Sequence, residues 1–381
     1  MSNIQYHSQV PENNNPEGFE EFQNLDWILN IQGRKLLRNS IRVSGEVVID
    51  MDGGGTDMTL TDNVLVDNRV GHHSYFQSWT CESPKGLIEQ LNEYPRYNNV
   101  VTSGTHSKND FFNAKSVAEG KNPCADAGRV VIQPVASAND GTGGGIDQFK
   151  TDPSFSIQPL LCFNRMIGGD WSFSRMGYIR ISTILARVGA ALYGNDLVAA
   201  SKYSLKNVRL EYQTIPDDGK DSPILAHSYV NIKSTINSRA HNLSAKVPAS
   251  ACNGVVVSYL EQSRENDLKH NTLELQSLPQ PDELAYLFNN STQKYLTYNI
   301  RDQRDMVARG LEALGNGTGS HAQVSGDSLS SNNGYLTGLA FDEYISLENQ
   351  KFNIQTKSSQ TNLSASPYIQ YCYFLTLVKL A

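Results

Sequence analysis

Short apolar runs of period two, broken again and again by turn residues, restrict this chain more than any other feature of its sequence. Alternation of this kind puts successive side chains on opposite faces of a strand, so it predicts half-buried β-structure. Ile41, Val43, Val47, Ile49 and Met51 make one run, which stops at Gly53-Gly54-Gly55. Tyr75, Phe76 and Trp79 supply bulky β-formers to a second at 74–81. Further strands are predicted at 129–135, 155–163 and 178–186, and a long one at 203–215. In that long run the alternation shifts from Tyr203/Leu205 to Val208/Leu210/Tyr212, which predicts a bulge near Asn207.

The clearest punctuation is Pro216-Asp217-Asp218-Gly219-Lys220-Asp221-Ser222-Pro223, a charged turn bracketed by prolines. Strand patterns resume at once, at 227–236, 243–247, 255–260, 284–288, 295–300, 335–341 and 352–356. A terminal run at 368–380 places Ile369, Tyr371, Tyr373, Leu375 and Leu377 on one side. Helix signals are few. A short helix is expected at 85–93 after Pro84, and 97–128 reads as irregular. The convincing helix is 302–314, where Met306, Val307, Gly310, Leu311 and Leu314 share a face and Gly315 takes the C′ position. Both halves therefore read alike, and the expected fold class is all-β, two antiparallel β-sandwiches in tandem with few short helices. The expected organisation is a flexible arm at 1–24, a first domain at 25–215, a linker at 216–223 and a second domain at 224–381. The arm is polar and acidic, so order is expected to begin near Leu25.

Composition narrows the function. Hydrophobic residues make up 39% of the 381 and charged residues only 19%, and the polar remainder is rich in Asn, Ser, Gly, Gln and Thr, a balance that suits packing against other proteins. The net charge of −7 argues against a nucleic-acid binder, and the densest basic stretch, Arg34, Lys35, Arg38 and Arg42, reads as a solvated face beside a strand. The N-terminus lacks a signal-peptide pattern, and no apolar run approaches the roughly 20 residues of a membrane-spanning helix. The chain is thus expected to be soluble and made in a reducing compartment. Cys81, Cys124, Cys162, Cys252 and Cys372 are far apart, with no C-x-x-C pair, and read as small core hydrophobes with neither a zinc site nor a disulfide framework. The Asn-x-Ser/Thr matches at Asn242, Asn289, Asn290, Asn316 and Asn362 are expected by chance in an Asn-rich chain.

Several motifs imitate chemistry without completing it. Asp50-Met51-Asp52-Gly53-Gly54-Gly55-Thr56-Asp57 is similar to the phosphate hairpin of sugar kinases and actin-like ATPases, but those folds alternate strands with helices, and this chain does not. The same stretch fails as an EF-hand, because the twelfth position is Thr61 rather than glutamate. It reads as a turn without a ligand. Gly141-Thr142-Gly143-Gly144-Gly145 lacks the Gly-Lys-Ser/Thr ending of a P-loop and reads as a flexible insertion. His72 and His73 are adjacent, so a strand would point them to opposite faces and away from a shared ion; they read as surface or interface residues. No Gly-x-Ser-x-Gly elbow is present. A glycan-active sandwich would need paired carboxylates in an aromatic groove, and Trp27, Trp79 and Trp171 all fall near predicted strands. The expectation is no catalytic residue, no cofactor and no metal.

Several segments together resemble the double jelly-roll major capsid proteins of Polinton-like viruses and virophages, over about 25–381. They are Leu36-Leu37-Arg38-Asn39-Ser40-Ile41-Arg42-Val43-Ser44-Gly45-Glu46, Gly71-His72-His73-Ser74-Tyr75-Phe76, and Leu87-Ile88-Glu89 running into Glu93-Tyr94-Pro95-Arg96-Tyr97. The most specific is Tyr203-Ser204-Leu205-Lys206-Asn207-Val208-Arg209-Leu210-Glu211-Tyr212, followed by Ser228-Tyr229-Val230. The resemblance implies two eight-stranded jelly rolls side by side. It further implies a non-enzymatic subunit that trimerises into pseudo-hexameric capsomers tiling an icosahedral shell around a DNA genome. Its partners would be copies of itself, penton and minor capsid proteins, and its location the virion. The acidic balance suggests that the shell does not itself condense the genome. A jelly-roll penton or receptor-binding spike is the alternative within structural proteins.

Overall fold

The structure, a computed structural model, describes residues 3–59, 62–106, 114–121, 129–132, 149–151, 153–220, 223–279, 281–290, 293–316, 334–348 and 350–380. The first half contributes β1 (Gln5–Gln9), β2 (Phe19–Glu20), β3 (Asn24–Leu29), β4 (Arg34–Leu36), β5 (Arg42–Asp50), β6 (Leu65–Asp67), β7 (Phe76–Ser83) and β8 (Gly86–Leu91). It continues with β9 (Arg129–Ile132), β10 (Phe149–Thr151), β11 (Ser154–Ile157), β12 (Met166–Gly168), β13 (Trp171–Ser172), β14 (Ile179–Leu185) and β15 (Lys202–Pro216). The second half holds β16 (Ile224–Ile236), β17 (Ala240–Ala245), β18 (Cys252–Glu261), β19 (Pro281–Asn290), β20 (Gln293–Ile300), β21 (Thr337–Ile345), β22 (Lys351–Ser358) and β23 (Tyr368–Lys379). The helices are α1 (Tyr94–Thr105), α2 (Ala114–Ala118), α3 (Phe173–Met176), α4 (Val188–Ala191) and α5 (Gln303–Ala313).

Among the described residues, the eight strands of the second half pair as β16-β23-β18-β21 in one sheet and β17-β22-β19-β20 in the other. Counted along the half, that is first-eighth-third-sixth against second-seventh-fourth-fifth, the double Greek key of a jelly roll. Phe352 of β22 meets Phe374 of β23 edge-on across the core at 5.2 Å. In the first half, β11-β5-β15-β4-β13 faces β3-β14-β7-β8. Trp27 and Trp79 stack between them at 6.5 Å, and the Tyr203 hydroxyl donates to the Ala186 carbonyl at 2.6 Å. Strand β14 buries Ile179, Ile181, Thr183 and Leu185 and turns Arg180 and Ile184 outward, as period two demands. Asn207 adopts a left-handed φ of 54°, and the β15–β5 register shifts between Lys206 and Arg209, so the bulge lies where the broken alternation put it.

Several expectations need correction. Residues 1–24 are not a detached arm: from position 5 they pair, β1 antiparallel to Leu210–Thr214 and β2 to Ser204–Leu205, and Phe19 is buried. Polar side chains do not stop a backbone from adding to an open sheet edge. The segment 85–93 is strand β8 instead of a helix, because Leu91, Gln90 and Glu89 pair with Trp79, Thr80 and Cys81 of β7. A helix does follow, at α1, inside the stretch expected to be irregular. Of 155–163 only β11 is extended; after Pro159 the chain turns into a 3-10 helix at Cys162–Arg165. Both faces of β23 are buried, since Gln370, Cys372, Phe374 and Thr376 are covered as fully as Ile369, Tyr371, Tyr373 and Leu375. The Tyr371 and Tyr373 face meets Arg96 and Tyr97 of the first roll, and the Gln370 and Phe374 face packs on Thr356 and Phe352 of β22 in its own roll. The division at 216–223 is also crossed: β12, from the first half, pairs with Ile224–Ala226 of β16 and extends the second roll's sheet.

Candidate functional site

The feature that joins the two rolls is α1, a helix whose buried side chains include Arg96, Asn98, Asn99, Thr102 and Ser103. No apolar stripe explains such burial. Two of these polar groups, Arg96 and Asn99, meet partners on the other roll, and Ser103 donates to Asn99 on the helix itself. Arg96 donates from Nη1 to the Glu274 carbonyl at 2.9 Å and from Nη2 to the Thr272 carbonyl, with its guanidinium 4.3 Å from the Tyr371 ring centre. Asn99 donates to the Leu273 carbonyl at 2.8 Å. Tyr97 packs on Tyr229 at 3.9 Å and Tyr373 at 5.3 Å, the aromatic centre of the joint. Buried Asp67 accepts from Arg69 and Val70 backbone N–H groups and from the Asn271 amide at 2.6 Å. Burial pushes its carboxyl up, against the lowering pull of Asn271 and Arg69. Glu89 of β8 accepts from the Ser228 hydroxyl of β16 at 2.7 Å.

The linker is fastened as well. Lys35 bridges Asp217 at 3.6 Å and Asp218, and Arg175 reaches Asp217 at 3.7 Å. Burial would raise the Asp217 carboxyl, but the Ser172 hydroxyl, the Gly219 N–H, Lys35 and Arg175 together hold it below the usual carboxylate range.

The motifs singled out from sequence fall elsewhere. Asp50 accepts from the Gly53 and Gly55 N–H groups at 2.9 and 3.1 Å, and Asp52 from the Gly54 N–H and the Thr56 hydroxyl at 2.8 and 2.7 Å. Both carboxylates thus hold the turn that returns to Asp57 by an isolated bridge. Arg34 donates to Thr214 and the Asn3 carbonyl, Arg38 to the Gly168 carbonyl and Arg42 to Ser156, so the basic stretch is spent on internal contacts. His72 and His73 correct the surface reading: they sit in a buried 3-10 turn at Gly71–Tyr75. His73 Nδ1 lies 2.7 Å from the Tyr94 hydroxyl, and its Nε2 lies 3.3 Å from Glu119. Gly141–Gly145 and Cys124 lie outside the described residues.

Cys81, Cys162, Cys252 and Cys372 are buried and none is in a disulfide. Burial raises their thiols, Cys81 to about 11 and Cys252 to about 12. Sequence spacing did not associate Cys81 with Cys162. The fold brings both to Glu89, with one ligand atom from each within 4.8 Å of the others. The signal was a glutamate on a strand whose neighbours Leu87 and Leu91 are apolar, which is informative only once the strand is known to lie inside the joint.

No family model and no curated protein matches the sequence. Solved structures share the fold along its length. The Faustovirus major capsid protein is matched with a TM-score of 0.61 at 8% identity, over 100% of this chain and 91% of that one. PBCV-1 VP54, fitted into a reconstruction of the virophage Sputnik, also gives 0.61 at 8% identity, over 100% and 95%. A chain of the Sputnik virophage structure gives 0.56 at 10% identity, over 99% and 86%. At such identities the likeness is one of fold, and the chain is accordingly a double jelly roll, of the architecture found in those viral capsid proteins.

Proposed function

We propose that this chain is a major capsid protein, three copies of which form a pseudo-hexameric capsomer that tiles an icosahedral shell around a DNA genome. The observation that carries this reading is the pair of jelly rolls held by one buried polar joint, in full-length likeness to the Faustovirus and PBCV-1 proteins. A subunit of two similar sandwiches, repeated by a threefold axis, presents six similar towers. Such a unit fills a hexagonal position in a lattice only if its two rolls keep a constant spacing. The hydrogen-bonded α1, the Tyr97–Tyr229–Tyr373 cluster and the crossing strand β12 supply that constancy. Further copies, penton subunits and minor capsid proteins are its partners, and the virion its location. Negative-stain imaging of the purified protein tests the reading. Pseudo-hexagonal plates or closed shells are expected, and isolated single-subunit particles at all concentrations would overturn it.

A further inference from the structure

We propose that Cys81, Glu89 and Cys162 bind one zinc ion that staples the joint between the rolls. This goes beyond the shell reading and does not depend on it. The three residues come from β7, β8 and the 3-10 turn at Cys162–Arg165, and the side chains are enclosed, with exposures of 0%, 4% and 0%. Their ligand atoms lie within 4.8 Å of one another. Tetrahedral zinc with bonds of about 2.0–2.3 Å holds its donors roughly 3.5–4 Å apart, so a contraction of at most about 1.3 Å closes the site. Two thiolates and a carboxylate form a donor set suited to a borderline-soft cation such as zinc, and unsuited to magnesium or calcium.

The surroundings are those of a supported ligand. Glu89 is oriented on both sides, one oxygen accepting from the Cys162 N–H and the other from the Ser228 hydroxyl at 2.7 Å. Outer contacts of this kind fix a metal-binding carboxylate. Charge also balances. Without the cation, Glu89 interacts with the nearby Arg165 guanidinium. When one divalent cation enters, two thiol protons leave, so the buried charge does not change and no unpaired charge is created. Because Ser228 belongs to β16 of the second roll, a cation here ties three elements of the first roll to the second through Glu89.

Metal content of the full chain tests this directly. Protein produced in zinc-supplemented medium, purified without chelator and analysed by inductively coupled plasma mass spectrometry, is expected to hold about one zinc per chain. Cys81→Ser, Cys162→Ser and Glu89→Gln each should lose it, while Cys252→Ser and Cys372→Ser keep it. Refolding the wild-type chain with and without zinc should give a higher melting temperature with the metal, and this gain should vanish in Glu89→Gln. A wild-type chain with less than about a tenth of an equivalent after both production and refolding with zinc overturns the site. Retention of zinc by Cys81→Ser and Cys162→Ser also overturns it. Should a serine variant fail to fold, the wild-type stoichiometry and Glu89→Gln decide.

Discussion

Arg96 illustrates how much of this protein rests on single polar side chains inside the joint. Its two carbonyl partners and the Tyr371 ring all belong to the opposite roll, and the residue is only 2% exposed. Arg96→Ala leaves two carbonyls without donors and a void beneath the ring, so a loss of about 3 kcal/mol is expected in urea denaturation. Arg96→Lys, which cannot fork to two carbonyls, should recover only part of it. Asp67 gives a pH signature. Its carboxyl is raised above the ordinary 3.8, so the proton-bound joint is favoured. That stability is full below the ordinary value and is lost as pH rises through the raised one. Asp67→Asn should flatten the pH dependence of the urea midpoint in that window; an unchanged slope would remove Asp67 as its source. None of these roles was legible from sequence. Arg96 and Asn99 lie in a stretch without apolar periodicity, and their burial follows from partners more than 170 positions away, Glu274 and Leu273.

At the scale of elements, local patterns were most readable where an element has one wet face and one dry one. Strands β5, β14 and β15 and helix α5 fall close to their alternation or helical period, and Asp302 caps α5 by accepting from the Arg304 N–H at 2.7 Å. Strand β8 and helix α1 escaped because their tertiary setting overrides local tendency. The glycine read as part of the α5 face has a packing reason: a Cβ on Gly310 would come within 2.5 Å of Leu336 and 2.9 Å of the Thr337 backbone. Gly310→Ala should therefore cost about 1–3 kcal/mol despite the better helix propensity of alanine, and a rise in melting temperature would refute this close approach. Strand β1 makes the opposite case. It is largely exposed, with Tyr6 at 77%, yet it covers the far edge of β15 from Leu210 to Thr214. Deleting residues 1–10 should leave the core folded while exposing that edge, and concentration-dependent aggregation in light scattering is the expected sign. Truncated protein as monodisperse as the full chain would show that the edge needs no cover.

Across the whole molecule, the arrangement leaves apolar side chains outside as well as inside. Ile28 and Ile184 project from the outer face of β3-β14-β7-β8, and Phe22 stands beside Ile184 at the rim of a cleft of about 310 Å³ shared with Arg187 and Glu265. Side chains of this kind are costly to leave in water and are typical of contact surfaces between subunits. A closed threefold arrangement buries the flanks of each copy once and then stops growing, which is what a capsomer requires before it joins a lattice. Contacts of this obligate type often exceed roughly 2,000 Å² in total, enough that the free subunit loses stability when separated. Light scattering should therefore give about three times the 42.1 kDa chain mass, with little monomer released on dilution before unfolding. Phe22→Glu places a charge on that rim without touching the core of either roll, and it should shift the mass toward the single chain while leaving the circular dichroism spectrum unchanged. A wild-type chain that stays monomeric and well folded at micromolar concentration would count against the capsomer; a Phe22→Glu trimer as tight as the wild type would move the contact to another face.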